Sequence, residues 1–207
     1  MDRLNTLLRR VPVWSVYLGG MLPAPWLFYL GLTGGLGVEP IEALEHEYGE
    51  LALQLLILTL AVSPLRAHLR LNLIKFRRAF GLLCFFYAAC HLLVWLLLDV
   101  QIPSQIVADI AKRPYVTVGM SAFLLLLPLA LTSSNAAVRR LGPAWRRLHR
   151  LTYPAAVLAA VHYLLLAKGF RIEPLLYLGV ISFLLALRLP WQGNWRPGRA
   201  RQEARRW

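Results

Sequence analysis

The chain has 207 residues, 58% of them hydrophobic, with a mean hydropathy of +0.54 and a formal net charge of +13. The apolar residues are gathered into runs of membrane-spanning length, too long for strands and too uniform for one face of a soluble helix. The alternation of a membrane barrel is absent, so helices must satisfy the backbone in lipid, and the length allows one compact membrane domain with no second, soluble one.

Six spans are expected in chain order: Ser15–Thr33, Glu50–Pro64, Phe80–Leu98, Val116–Thr132, Leu151–Ala167 and Pro174–Leu189. The first carries Pro23 and Pro25, which membrane helices tolerate. Basic residues precede it, but its apolar stretch is too long for a signal peptide and no A-x-A-like cleavage site follows, so it is read as retained. The expected fold class is an all-α integral membrane protein, a bundle of about six transmembrane helices. Residues 1–14 form a cytoplasmic N-terminus, 15–190 the transmembrane domain and 191–207 a basic cytoplasmic tail. No internal repeat is visible in the sequence.

Charge sidedness orients the bundle. If the first span runs outward, nineteen of the 23 Lys and Arg residues lie on the inner side, and only Lys112, Arg113, Lys168 and Arg171 lie outside. Eight of the ten acids, Glu39, Glu42, Glu45, Glu47, Glu50, Asp99, Asp109 and Glu173, fall outside. This is the positive-inside pattern, and it places both termini in the cytoplasm. It also accounts for the basic balance, so no nucleic-acid partner is implied. Within Ala136–Arg150, Val138, Leu141, Trp145 and Leu148 recur at helical spacing between arginines, the pattern of a short helix lying against anionic membrane lipid.

The chemistry rests on histidine. No C-x-x-C-H motif is present, and Cys84 and Cys90 lie six apart, off a common helix face. Ionisable residues inside spans are costly and point to function. His91 stands eleven residues beyond Phe80, and His162 eleven beyond Leu151. Both spans run outward, so the two imidazoles are expected at one depth, about 16 Å in. Such a pair can supply both axial ligands of a heme iron. The alternative is a histidine that only hydrogen-bonds a neighbouring helix. Zinc fits less well, since no Cys or acid in the spans completes four ligands.

His149 lies thirteen residues before His162 at the cytoplasmic edge, roughly 140° around an ideal helix from it. Arg77, rather than a histidine, stands where a partner for His149 would be needed. A second bis-histidine site is therefore not supported, although Arg77 and Arg78 could pair with heme propionates or serve as topology charges. One heme is expected, and a second is left open. His46 falls in an acidic outer loop, solvated or facing a periplasmic partner, and His68 is expected at the interface.

No G-x-G-x-x-G follows a strand, so the chain cannot take hydride from a nicotinamide by itself. Electrons must come from another protein or a membrane quinol. A small transporter or channel using His91 and His162 as a proton or metal relay is the rival, as is a cofactor-free assembly subunit. Neither inverted repeats nor paired broken helices favour the transporter.

The runs TLAVSPLR (59–66), RRAFGLLCFFYAACH (77–91), KRPYVTVGM (112–120), LALTS (129–133), LGPAWRRLHRLTY (141–153) and AAVLAAVHYLLLAK (155–168) resemble the MsrQ family. These are heme-binding membrane subunits of periplasmic methionine sulfoxide reductase systems, within the ferric-reductase-like transmembrane group that includes NADPH oxidases. The resemblance covers nearly the whole chain. It implies an electron-transfer subunit of the bacterial inner membrane. Electrons would pass from the quinone pool, or a cytosolic flavin reductase, to the periplasmic molybdenum enzyme MsrP, which reduces methionine sulfoxide in oxidised proteins. The family's heme-ligating histidines fall on His91, His149 and His162. The resemblance also implies FMN, for which no residues can be assigned. The second histidine that NADPH oxidases carry on the third span is replaced near that place by Arg77.

Overall fold

In the computed structural model of the chain, residues 2–166 and 171–188 are described. Lys168 and the basic tail 191–207 lie outside the described residues. Among the described residues, all regular structure is helical: α1 (Asp2–Arg10), α2 (Val13–Met21), α3 (Pro23–Leu32), α4 (Pro40–Leu69), α5 (Arg77–Val94), α6 (Pro103–Lys112), α7 (Pro114–Leu131), α8 (Asn135–Leu141), α9 (Pro143–Leu148), α10 (Thr152–Leu166) and α11 (Ile172–Ala186). Helices lie under all the expected spans. Three stretches, Pro40–Leu69, Ile74–Val100 and Pro114–Leu131, are both long and apolar enough to cross a membrane, and Ile172–Ala186 is a shorter apolar helix.

Four helices form a closed ring, with α4 against α5, α5 against α7, α7 against α10 and α10 against α4. The helix α11 packs outside α10 and α4, and α2 and α3 pack outside α5 and α4. The ring is filled towards its inner end by Leu53, Leu56, Leu60, Cys84, Ala156 and Ala160, and Ile181 of α11 joins the same cluster. Large apolar side chains also point outward, among them Trp26, Leu124, Leu176 and Phe183, each more than half exposed. Water would penalise that arrangement at roughly 25 cal/mol per Å² of apolar surface, whereas lipid does not.

Prolines shape the spans, and polar side chains from other helices bond the backbone around them. The first span breaks into α2 and α3 at Pro23. On either side of the break, the Tyr87 hydroxyl donates to the Gly20 carbonyl at 2.7 Å and the Tyr48 hydroxyl to the Ala24 carbonyl at 2.7 Å. Pro64 has no N–H for the Leu60 carbonyl, four residues back, and the second span was expected to stop there. Instead α4 runs on to Leu69, and the Arg188 guanidinium donates to the Leu60 carbonyl in place of the missing amide. The helix also starts ten residues earlier than expected, at Pro40, in the first turn where a missing N–H costs nothing. The Glu45-His46-Glu47 stretch, read above as an outer loop, is therefore a turn of α4.

Two further expectations change in detail. The third span ends in a π-helical turn, Trp95–Val100, closed by Gln101 in a left-handed conformation (φ 59°). The basic stretch Ala136–Arg150 is two short helices rather than one. Gly142 has φ +50°, a backbone that favours glycine, and Pro143 starts the next helix, so the chain turns between α8 and α9.

Candidate heme site

A cavity of about 480 Å³, of cofactor size, opens inside the ring near the end that the charge pattern assigns to the outside. Its apolar floor is made by Leu53, Leu56, Cys84, Leu126 and Ala159, and His91 and His162 face each other across it. Their ring centroids are 6.0 Å apart, with the ring planes at 78°. The depth match expected from the sequence thus becomes a spatial pair.

Both imidazoles are held in the same way. His91 Nδ1 donates to the Glu45 carbonyl at 2.9 Å, and His162 Nδ1 to the Tyr115 carbonyl at 2.8 Å. Each carbonyl lies one helical turn before a glycine, Gly49 on α4 and Gly119 on α7. In helix geometry it also accepts that glycine's amide. A Cβ at Gly49 would stand 3.1 Å from His91 Nδ1, and one at Gly119 only 2.7 Å from His162 Nδ1. The glycines therefore let each ring lie against the neighbouring helix and reach its backbone. A device invisible as a sequence repeat is built twice, once in the α4–α5 hairpin and once in α7–α10. The residues overlooked in the sequence are Gly49 and Gly119; small residues inside spans, the usual mark of close helix approach, were the available signal.

With Nδ1 committed as donor, Nε2 of each neutral ring is left unprotonated and would be the nitrogen available to a metal. The 6.0 Å between the ring centroids is of the size that two imidazoles sharing one iron would need, at a metal–nitrogen bond of about 2.0–2.1 Å each. A hydrogen bond from the remote ring nitrogen fixes tautomer and orientation and strengthens the ligand. The residues present therefore fit a bis-imidazole heme. Among the described residues no group of three or more His, Cys, Asp or Glu is placed to hold a metal ion.

The surrounding polar residues are partitioned by helix. Glu45, 4.0 Å from His91 Nε2, stands on the cavity wall with Glu42, Glu50 and Asp99, all from α4 or the π turn. Arg113 and Arg171, which precede α7 and α11, also line the cavity. His46 is partly buried on the wall, edge-on to Tyr163 at 5.8 Å, rather than solvated in a loop. Tyr177 and Gln54 both donate to Glu50, at 2.8 and 2.9 Å.

The structure does not bring His149 to this pair. It sits in a 3-10 turn, His149–Leu151, stacked on Trp145 at 3.9 Å, with Nε2 3.1 Å from the Thr132 hydroxyl. Burial, and then the nearby Arg77 guanidinium, push its pKa below the ordinary histidine value. Arg77 is thus a neighbour of His149 at the inner end, with no ion-pair partner among the described residues. Arg78 donates to Asn135 at 2.7 Å, and His68 is exposed in the last turn of α4.

Comparison with known proteins places this arrangement. The family described as ferric reductase like transmembrane component matches residues 48–160, which span both glycines and His91 and end just before His162. The protein-methionine-sulfoxide reductase heme-binding subunit MsrQ of Brucella anthropi is 44% identical over 196 residues, covering 93% of this chain and 89% of its own. That of Brucella ovis is 45% identical over 178 residues, covering 86% and 81% respectively. The chain belongs to the MsrQ family. No solved structure matches it. Membership in MsrQ, together with three helices fit to cross a bilayer, makes this a membrane protein.

Proposed function

We propose that the chain is an electron carrier of the bacterial inner membrane that holds b-type heme between His91 and His162. It has six spans with both ends cytoplasmic. The observation that carries the reading is the pair of imidazoles 6.0 Å apart, each with Nδ1 tied to a carbonyl and Nε2 left for iron. The same hydrogen bonds weigh against a proton relay, which needs both ring nitrogens free to exchange protons. The naming of the Brucella relatives as heme-binding subunits supports the cofactor, and their naming as subunits of a methionine sulfoxide reductase supports the partnership.

Bound there, heme supplies a one-electron iron couple whose potential follows its axial ligands and surroundings. The chain's own residues do the rest. His91 and His162 ligate, and the Glu45 and Tyr115 carbonyls hold their tautomers. Leu53, Leu56 and Leu126 keep the floor dry, and the opening near the outer end shortens the path to a periplasmic acceptor. Electrons enter from the quinone pool or a cytosolic flavin reductase and leave to periplasmic MsrP, which reduces methionine sulfoxide in oxidised proteins. One heme is proposed, since His149 is already engaged by Thr132 and Trp145 and faces Arg77 rather than a second histidine. FMN is carried by the family resemblance only, with no residue assigned to it.

The test is a dithionite-reduced minus oxidised spectrum of the purified chain supplied with heme. Reduced b-type bands are expected from the wild type and from His46→Ala, and loss of most of the signal from His91→Ala or His162→Ala. A wild-type preparation without such bands refutes the reading. Electron transfer from a quinol to MsrP, with and without the chain, checks donor and acceptor.

A further inference from the structure

We infer that Arg113 and Arg171 are the carboxylate-binding groups of the cavity and hold the propionates of the macrocycle at its outer mouth. The inference rests on the heme reading above. It starts from an exception to the charge pattern. Only four of the 23 basic residues fall on the outer side, and two of those four line this cavity. Sidedness explains the other nineteen and leaves these two needing another reason.

The cavity wall carries charges of both signs. Glu42, Glu45 and Glu50 of α4, with Asp99 of the π turn, would repel a propionate. The cations that could attract one are Arg113, just before α7, and Arg171, just before α11. Arg113 is held in place: its Nε donates to Asp109 at 3.1 Å and one terminal nitrogen to the Tyr115 hydroxyl at 3.1 Å. Its second terminal nitrogen has no partner among the described residues, and half of the side chain is exposed (51%). Arg171 has no ion-pair partner among the described residues. Tyr115 joins Arg113 to the ligand pair, since its hydroxyl positions Arg113 while its carbonyl holds His162. A guanidinium presents a planar fork that suits a carboxylate, and each charge-assisted bond adds to affinity.

The experiment compares hemin with hemin dimethyl ester, whose propionates are neutral, in titrations of the heme-depleted full chain in detergent. The wild type is expected to bind hemin at least about tenfold more tightly, as charge-assisted hydrogen bonds imply. In Arg113→Gln/Arg171→Gln that preference should fall towards unity while the low-spin bis-imidazole spectrum persists. Arg139→Gln/Arg140→Gln, far from the cavity, should keep it. A wild type without the preference overturns the inference even if no variant folds. So does a double variant that keeps it, or a distant control that loses it equally. Absence of a low-spin spectrum with either porphyrin in the wild type overturns the ligation itself, and this inference with it.

Discussion

Replacing Gly119 by alanine adds one methyl group to the face of α7 that carries the His162 ring. The new Cβ would lie 2.7 Å from His162 Nδ1 and 2.8 Å from Cε1, where ordinary contact begins at about 3.4 Å. The ring must retreat by roughly 0.7 Å, which stretches its 2.8 Å hydrogen bond to Tyr115 to about 3.5 Å, beyond a real bond. Leaving that buried donor unpaired costs about 1–3 kcal/mol, or roughly 5- to 150-fold in heme affinity. At Gly49 the added atom would stand 3.1 Å from His91 Nδ1, so a shift of roughly 0.3 Å suffices and the bond survives. Gly49→Ala should therefore cost less than about fivefold. Alanine favours a helix over glycine by about 1 kcal/mol, which offsets only part of the cost of Gly119→Ala, whereas Gly49→Ala should not lower the melting temperature. Hemin titration of the depleted protein, read at the Soret band, gives both affinities. Wild-type affinity in Gly119→Ala, or a larger loss in Gly49→Ala, would refute the reasoning.

His149→Ala should keep the low-spin spectrum of the outer pair, because its ring is engaged by Thr132 and Trp145; loss of that spectrum would put His149 in the site. Heme extracted into alkaline pyridine and measured against protein should give one heme per chain, and two would require a second site at the inner end. Arg188→Leu leaves the Leu60 carbonyl without a donor and should destabilise the chain by about 1–3 kcal/mol. Adding Pro64→Ala restores the amide and should recover much of that loss in the same thermal-unfolding assay. Tyr48→Phe and Tyr87→Phe each remove one hydrogen bond to the first span at 2.7 Å and should each cost about 1 kcal/mol.

Much of the architecture was legible in the amino-acid order, because lipid imposes a simple rule. A backbone without water must close its own hydrogen bonds, so long apolar runs become helices. Charge sidedness then set their expected direction, and two histidines equally far along parallel spans were expected at one depth. Element ends were less legible. Pro64 reads locally as a stop, and only Arg188, over a hundred residues away, supplies the donor that lets α4 continue. Glu45-His46-Glu47 reads as a solvated loop, and only packing against Tyr163 makes it a turn of helix on a cavity wall.

The site divides along the same line. The sequence by itself determined an all-helical membrane chain with His91 and His162 level with each other, because periodicity and hydropathy act along one segment at a time. Tertiary structure alone decided that the two rings face each other across a cavity, and that Gly49 and Gly119 admit them to neighbouring backbones. It also decided that His149 stays with Trp145 and Thr132. Those outcomes depend on how helices rotate about their axes and how closely they approach. Both are settled by contacts between segments distant in sequence, where one missing Cβ is the difference between a hydrogen bond and a clash.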